Sequence, residues 1–216
     1  MFRELSRFQT EDKVRRIPLS HRSHIIGSQA LPTGVAEHES ALERDFVTLS
    51  SFVDGGSVLT AQPVTIKFEY DGRMRRYTPD FQVDWSAAGV DLVEVKYRDD
   101  LQASWSRLRP AFVAARSWAQ DHGMRFRIAT ERGIRGPRLE AAKRLLPLRN
   151  VPIDVALADI AIARARDGAI AFISLVDALP ASREASLAVV WRLIARGMLS
   201  VDLLAPIDPD TLVRAV

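Results

Sequence analysis

Residues 63–96 read PVTIKFEYDGRMRRYTPDFQVDWSAAGVDLVEVK, and this stretch decides the fold. Its first eight residues alternate: Val64, Ile66, Phe68 and Tyr70 point one way, Thr65, Lys67 and Glu69 the other, as in a half-buried strand. Asp71-Gly72 is a strong hairpin signal. The return strand runs from Arg75 to Asp84, and Pro79 inside it requires an edge position or a bulge. Gly89 marks the next turn, and residues 90–97 form a third strand, antiparallel to the second.

This meander brings chemistry together. Residues i and i+2 of a strand share a face, so Glu94 and Lys96 project together. Antiparallel pairing of the second and third strands places Asp80 close to Glu94. Two adjacent carboxylates repel unless a cation or a proton separates them. Mg2+ is the natural cation, since it takes hard oxygen ligands and keeps several waters. The Val95 carbonyl offers another oxygen, and Glu43, from the helix before the meander, completes a set of Glu43, Asp80, Glu94 and Val95. Such a site activates water and polarises a phosphoryl oxygen, while Lys96 stabilises the extra charge on phosphorus. An isolated E-x-K is common on sheet surfaces. Here it follows Pro79-Asp80 at a gap of thirteen residues, on strands, after a helix bearing Glu43.

Outward from the meander, residues 38–53 read as a helix with Leu42, Phe46 and Leu49 on one side. Residues 101–122 read as a long helix bent or split by Pro110 and closed by Gly123, residues 124–130 as a fourth strand, and residues 138–146 as a helix. A Leu- and Pro-containing linker at 146–152 leads into helices at 153–166, 172–179 and 183–196 and a short strand at 199–204. That order suggests a small winged-helix-like domain.

The chain has 216 residues, 47% of them hydrophobic, which suits a globular protein with a proper core and excludes a disordered one. Cysteine is absent, excluding disulfides and thiolate metal sites. There is no apolar run of membrane-spanning length and no signal-peptide core near the first residue, so we expect a soluble cytoplasmic protein with no membrane partner. The net charge of +3 hides a pattern: +3 over residues 1–36, −6 over 37–102, +8 over 103–150 and −2 over 151–216. An acidic segment between basic ones suits a cation site flanked by surfaces that hold a polyanion, although ordinary scatter is the plainer reading of the charges alone.

The strings Glu39-Ser40-Ala41-Leu42-Glu43-Arg44-Asp45-Phe46, Gln62-Pro63, Tyr77-Thr78-Pro79-Asp80-Phe81 and Val93-Glu94-Val95-Lys96, with Thr130-Glu131 after the fourth strand, resemble the TnsA family. These are PD-(D/E)xK endonuclease subunits of heteromeric transposases. The resemblance implies a restriction-endonuclease-like mixed sheet flanked by helices, followed by a small winged-helix-like domain. It implies Mg2+-dependent cleavage of the 5′ strands at transposon ends, with Mn2+ as a substitute. It further implies a TnsB-like transposase partner for the 3′ strands and a TnsC-like AAA+ ATPase contacted through the C-terminal part. By motif position, Glu43, Asp80, Glu94 and Lys96 are the catalytic residues. The expected organisation is a basic arm over 1–36, a nuclease domain over 37–149 and the C-terminal domain over 150–216. A stand-alone restriction or repair nuclease and a non-catalytic assembly factor are the alternatives.

Other residues carry weaker signals. Gln62 before Pro63 is a strand-entry residue; the resemblance implies a supporting role at the site, with packing or turn chemistry as the plainer reading. Arg125, Arg127, Arg132, Arg135, Arg138, Lys143 and Arg144 form a basic run, read as phosphate contacts beside the site, with a solvated face as the alternative. Arg15, Arg16, Arg22, His21 and His24 lie in an irregular arm that either contacts phosphate or is solvated; a zinc site on the two histidines is the poorer reading, since there is no Cys partner and His38 and His122 lie far off. Trp85, Trp105, Trp118 and Trp191 read as core or boundary aromatics rather than base-stacking platforms. The acidic C-terminal region points to protein docking over helix 183–196, whose Leu187, Val190, Trp191 and Ile194 serve either docking or the core.

Overall fold

The structure, a computed structural model, describes Thr10–Glu11, Gly27–Leu31, Gly34–His38 and residues 40–216. The arginines and histidines at 15–24 lie outside the described residues. The chain divides into two compact units, residues 1–134 and 135–216.

The first unit contains β1 (Thr10–Glu11), β2 (Gly27–Leu31), β3 (Gly34–His38), α1 (Ala41–Val53), β4 (Val58–Ala61), β5 (Thr65–Tyr70), β6 (Arg73–Tyr77), β7 (Phe81–Trp85), β8 (Gly89–Val95), α2 (Arg98–Ala103), α3 (Trp105–Asp121), β9 (Arg125–Ala129) and α4 (Glu131–Ile134). Its main sheet has the order β4-β7-β8-β9, antiparallel except for the parallel β8–β9 pair, which the α2–α3 crossover makes possible. A second sheet has the order β1-β5-β6, and β2 pairs with β3. The segment expected to be irregular therefore contains a strand ladder from Gly27 to His38.

The return strand expected from Arg75 to Asp84 is two strands in two sheets. β6 pairs with β5, whereas β7 pairs with β4 and β8. Pro79, which has no N–H to give a ladder, sits where the chain changes sheet. The incoming strand changes sheet at the same place: β4 ends at Ala61, and β5 begins after Gln62-Pro63. The two corners are tied by the Gln62 N–H, which donates to the Asp80 carbonyl at 2.8 Å. Gln62 adopts φ 47°, a left-handed conformation that costs a side-chain-bearing residue about 1 kcal/mol. The Asp71-Gly72 turn has φ 55° and 67°, the type I′ geometry that suits the twist of a hairpin. Tyr70 lies at the exposed hairpin tip, beneath the Arg75 guanidinium, rather than in the core with Val64, Ile66 and Phe68.

Helices cover both faces of this framework. On one face Leu42, Phe46 and Val47 of α1 pack on Leu59, Phe81, Val83, Val93 and Val95. Burying a side chain as large as Phe81 contributes about 1.5–3 kcal/mol. On the other, Ala111, Ala114, Ala115, Trp118 and Ala119 of α3 pack on Leu92 and on Val64, Ile66 and Phe68. The small alanines let the helix approach closely. The expected single helix at 101–122 is divided at Ser104, and Pro110 is accommodated inside α3. Gly123 at φ 70° closes α3, with the Met124 N–H returning to the Ala119 carbonyl.

The second unit contains α5 (Pro137–Leu145), a 3-10 turn (Leu146–Leu148), α6 (Val155–Arg166), β10 (Ile170–Ala171), α7 (Phe172–Asp177), α8 (Arg183–Ala195), β11 (Leu199–Ser200) and β12 (Leu212–Ala215). Its sheet has the antiparallel order β10-β12-β11. The division of the chain comes earlier than the 149/150 boundary read from the sequence. Leu139, Ala142 and Leu145 are buried in this unit, Arg144 stacks on Trp191 at 3.8 Å, and Arg149 donates to the Ala195 carbonyl. These contacts carry residues 137–149 with α8.

Candidate active site

The double corner positions the residues that the sequence singled out. Asp80 follows Pro79 at the start of β7, and its Oδ2 accepts the Val95 N–H at 2.7 Å. The carboxylate thus serves a backbone donor just beyond Phe81–Val93, the last β7–β8 pair at this end. Glu94, in β8, has Phe81's partner Val93 on one side and Val95 on the other, and is 5% exposed. Its Oε2 accepts the Tyr77 hydroxyl at 2.6 Å, and its Oε1 lies 3.4 Å from Lys96 Nζ. Lys96 is held in turn by its own N–H, which donates to the Ala129 carbonyl of β9.

Burial raises the Asp80 carboxyl well above its ordinary value, and the charges of Glu94 and Glu43 add to that. The Val95 N–H and Lys96 oppose the shift without cancelling it. Glu94 is raised too, chiefly by burial, against the Tyr77 and Lys96 interactions. Tyr77 is pushed far up by burial and by the Glu94 charge, so its hydroxyl stays a neutral donor. The site thus holds two carboxyl groups whose simultaneous ionisation is opposed.

Glu43 is the third residue of α1, and the Ser40 hydroxyl caps its N–H at 3.1 Å. The Ser-x-x-Glu spacing is that of a capping box, so helix start and site share this residue. Among the described residues, no three His, Cys, Asp or Glu side chains form a gathered metal-binding group. The core of the arrangement is therefore the Asp80–Glu94 pair, with Glu43 acting on it through charge. Hard oxygen donors with opposed ionisation fit a divalent cation that retains waters.

The basic run falls in several places. Glu94 and Leu92 belong to the α3 side of β8, Asp91 and Val93 to the α1 side, by strand alternation. Arg125 Nε lies 2.6 Å and Arg127 Nη1 3.7 Å from the buried Asp91 carboxylate, on the α1 side and opposite Glu94. Arg132 is exposed on α4. Arg135, Arg138, Lys143 and Arg144 lie in the second unit, where Lys143 pairs with Glu140 and Arg144 stacks on Trp191. On α8, Val190 and Ile194 are buried in the core and Leu187 and Trp191 half-buried, so little of the expected docking stripe is open.

The partners of three neighbouring residues, Tyr77, Asp91 and Glu131, were not legible in the sequence, although Tyr77 and Glu131 stand in the strings quoted above. Tyr77 stands three residues before Asp80, on the strand that pairs with β5. Asp91 is bonded by Trp85 Nε1 at 2.8 Å as well as by Arg125, a partnership that needs the parallel β8–β9 register to be known. Glu131 Oε2 accepts the Arg98 N–H at 2.9 Å and so caps α2, just beyond Lys96.

Residues 59–131 match the family model described as the TnsA-like endonuclease N terminal domain. The match runs from β4 to the first residue of α4 and takes in Gln62, Asp80, Glu94, Val95 and Lys96, with Glu43 upstream of it. No curated protein matches the chain. Over residues 59–131 the chain is thus similar to the N-terminal domain of TnsA-like endonucleases.

Proposed function

We propose that the protein is the metal-dependent endonuclease subunit of a heteromeric cut-and-paste transposase, hydrolysing the 5′ strands at transposon ends. The observation that carries this reading is the meeting of Asp80, Glu94 and Lys96 at the double corner, inside the segment matched to the family. Asp80 and Glu94, with Glu43 and the Val95 carbonyl, would hold Mg2+ or Mn2+. When bound there, the cation supplies Lewis-acid polarisation of the phosphoryl oxygen and lowers the pKa of a water. Lys96 offers its ammonium to the charge that builds on the phosphoryl oxygens as the P–O bond breaks. Tyr77 fixes one oxygen of Glu94, and Gln62 holds the Asp80 backbone. Arg132, Arg135, Arg138 and Lys143 are assigned to phosphate contacts.

From α6 onward the second unit runs helix, strand, helix, helix, strand, strand, an order that supports the winged-helix reading of this part. Its last 66 residues carry a net −2, which suits protein docking, and the family resemblance assigns a TnsC-like ATPase there and a TnsB-like transposase as the catalytic partner. The test is nicking of DNA bearing the cognate element ends, with Mg2+ or Mn2+, by wild type and Asp80→Ala, alone and with the neighbouring transposase. Metal-dependent 5′-strand nicks that need the transposase and vanish in Asp80→Ala are expected. Cutting without the transposase points to a stand-alone nuclease, and no cutting beside an active transposase overturns the reading.

A further inference from the structure

β9 is the last strand of the main sheet, and between it and α3 runs a groove of about 670 Å3. Phe126 and Ile128 form its floor; Trp105, Arg109, Phe112 and Arg116 form its walls. Ile128 stands opposite Glu94 in the parallel register, so the groove begins one strand away from the catalytic carboxylate. Phe112 and Phe126 both pack edge-on against Tyr77, the residue bonded to Glu94. The groove and the site therefore share a wall.

Its chemistry is lopsided. Trp105 is 46% exposed although it packs on Phe112. Arg109 and Arg116 lie seven residues apart on α3, on one side of the helix and about 10 Å apart along it. Among the described residues neither makes a salt bridge, and no Asp or Glu lines the groove. Arg125 and Arg127, by contrast, are bound to Asp91 on the other face. Unpaired guanidinium groups beside an open indole match a nucleic-acid strand, whose phosphates take bidentate arginine contacts and whose bases stack on aromatic rings.

We propose that this groove holds the DNA strand that leads to the cleaved phosphodiester, with Arg109 and Arg116 on backbone phosphates and Trp105 beneath a base. The inference rests on the endonuclease reading above. It adds a DNA contact on the exposed flank of α3 to the phosphate contacts assigned above.

The test is fluorescence anisotropy of a fluorescein-labelled oligonucleotide, single-stranded and duplex, titrated in EDTA over a range of salt. The full chain is compared with Arg109→Ala/Arg116→Ala, Trp105→Ala and Arg127→Ala; the side chains are exposed, and matched melting temperatures confirm folding. The double variant is expected to bind about 10- to 100-fold more weakly and to lower the slope of log K against log salt by about 1.4 to 1.8, two phosphates' worth. Trp105→Ala is expected to weaken single-strand binding by about 5-fold or more with the slope unchanged. Arg127→Ala is expected to change neither. An unchanged slope in the double variant, or no DNA binding by wild type, overturns the proposal. So does loss of transposase association with DNA affinity intact, which would make the groove a peptide site. Nicking by the same preparations separates the two readings: a double variant that binds and cuts as wild type does, while Asp80→Ala binds without cutting, defeats the groove and leaves the endonuclease.

Discussion

Asp91 and Glu94 stand three residues apart on the same strand, face opposite sides of the sheet, and are 1% and 5% exposed. Asp91 is compensated: an indole N–H and two guanidinium groups surround it. Glu94 has a neutral tyrosine hydroxyl, a lysine at 3.4 Å and a second carboxylate, Asp80, near enough to feel its charge. Burial alone therefore does not mark the site. What separates the two is how much positive charge the protein sets against each carboxylate, and the cation proposed above would supply what Glu94 lacks.

The contrast breaks most sharply at Asp80. Asp80→Ala is expected to lower nicking by about a thousand-fold, the several kcal/mol that a bound cation contributes to transition-state stabilisation. A quantitative plasmid-nicking assay checks this, and a variant retaining a tenth of wild-type activity removes Asp80 from the mechanism. Tyr77→Phe keeps the ring against Phe112 and Phe126 but deletes the donor to Glu94. It is expected to weaken Mn2+ affinity or activity by about 10- to 100-fold, as loss of a partner behind a metal ligand does. Titrating the rate with metal reads it, and an unchanged profile makes Tyr77 a packing residue only.

Asp91→Asn should do the reverse. It removes charge-assisted bonds from a buried position and is expected to cost about 1–3 kcal/mol in urea denaturation while leaving cleavage by the folded protein intact. A cleavage defect in folded Asp91→Asn would erase the distinction between the two carboxylates. The smallest effect is in pH dependence. Burial and mutual repulsion raise the Asp80 and Glu94 carboxyls in the folded state, above the ordinary value near 4. The folded protein then holds protons the unfolded chain has released, so this contribution to stability is present at low pH and is lost as pH rises through the raised values. Asp80→Asn keeps an acceptor for the Val95 N–H and removes that loss. Without metal it is expected to exceed wild type in stability by on the order of 1 kcal/mol at neutral pH, with the gap closing towards about pH 4. Urea titrations across that range read the difference, and a gap of constant size contradicts the shifts.

Much of this was legible in the residues. Alternation over 64–68, the Asp71-Gly72 turn and the Pro79-Asp80 and Glu94-x-Lys96 strings place the hairpin and the carboxylate pair without any structure. The sheet change was not legible, because the period of two continues on both sides of Pro79 and a bulge gives the same pattern. β4 escaped because four residues after a turn are too short for a period to show. The arginine assignments on β9 failed to foresee Asp91 because the partner lies across a helical crossover, where only the register reveals it. Arg109 and Arg116 were not legible as a pair, because only the packing of α3 on β9 shows which side of the helix borders the groove.

The most direct measurement is Mn2+ binding, followed by electron paramagnetic resonance of the free ion, to wild type, Asp80→Ala and Asp91→Asn. The account predicts binding to wild type and Asp91→Asn and its loss in Asp80→Ala. Equal binding by all three, or its loss in Asp91→Asn while Asp80→Ala binds, would contradict it.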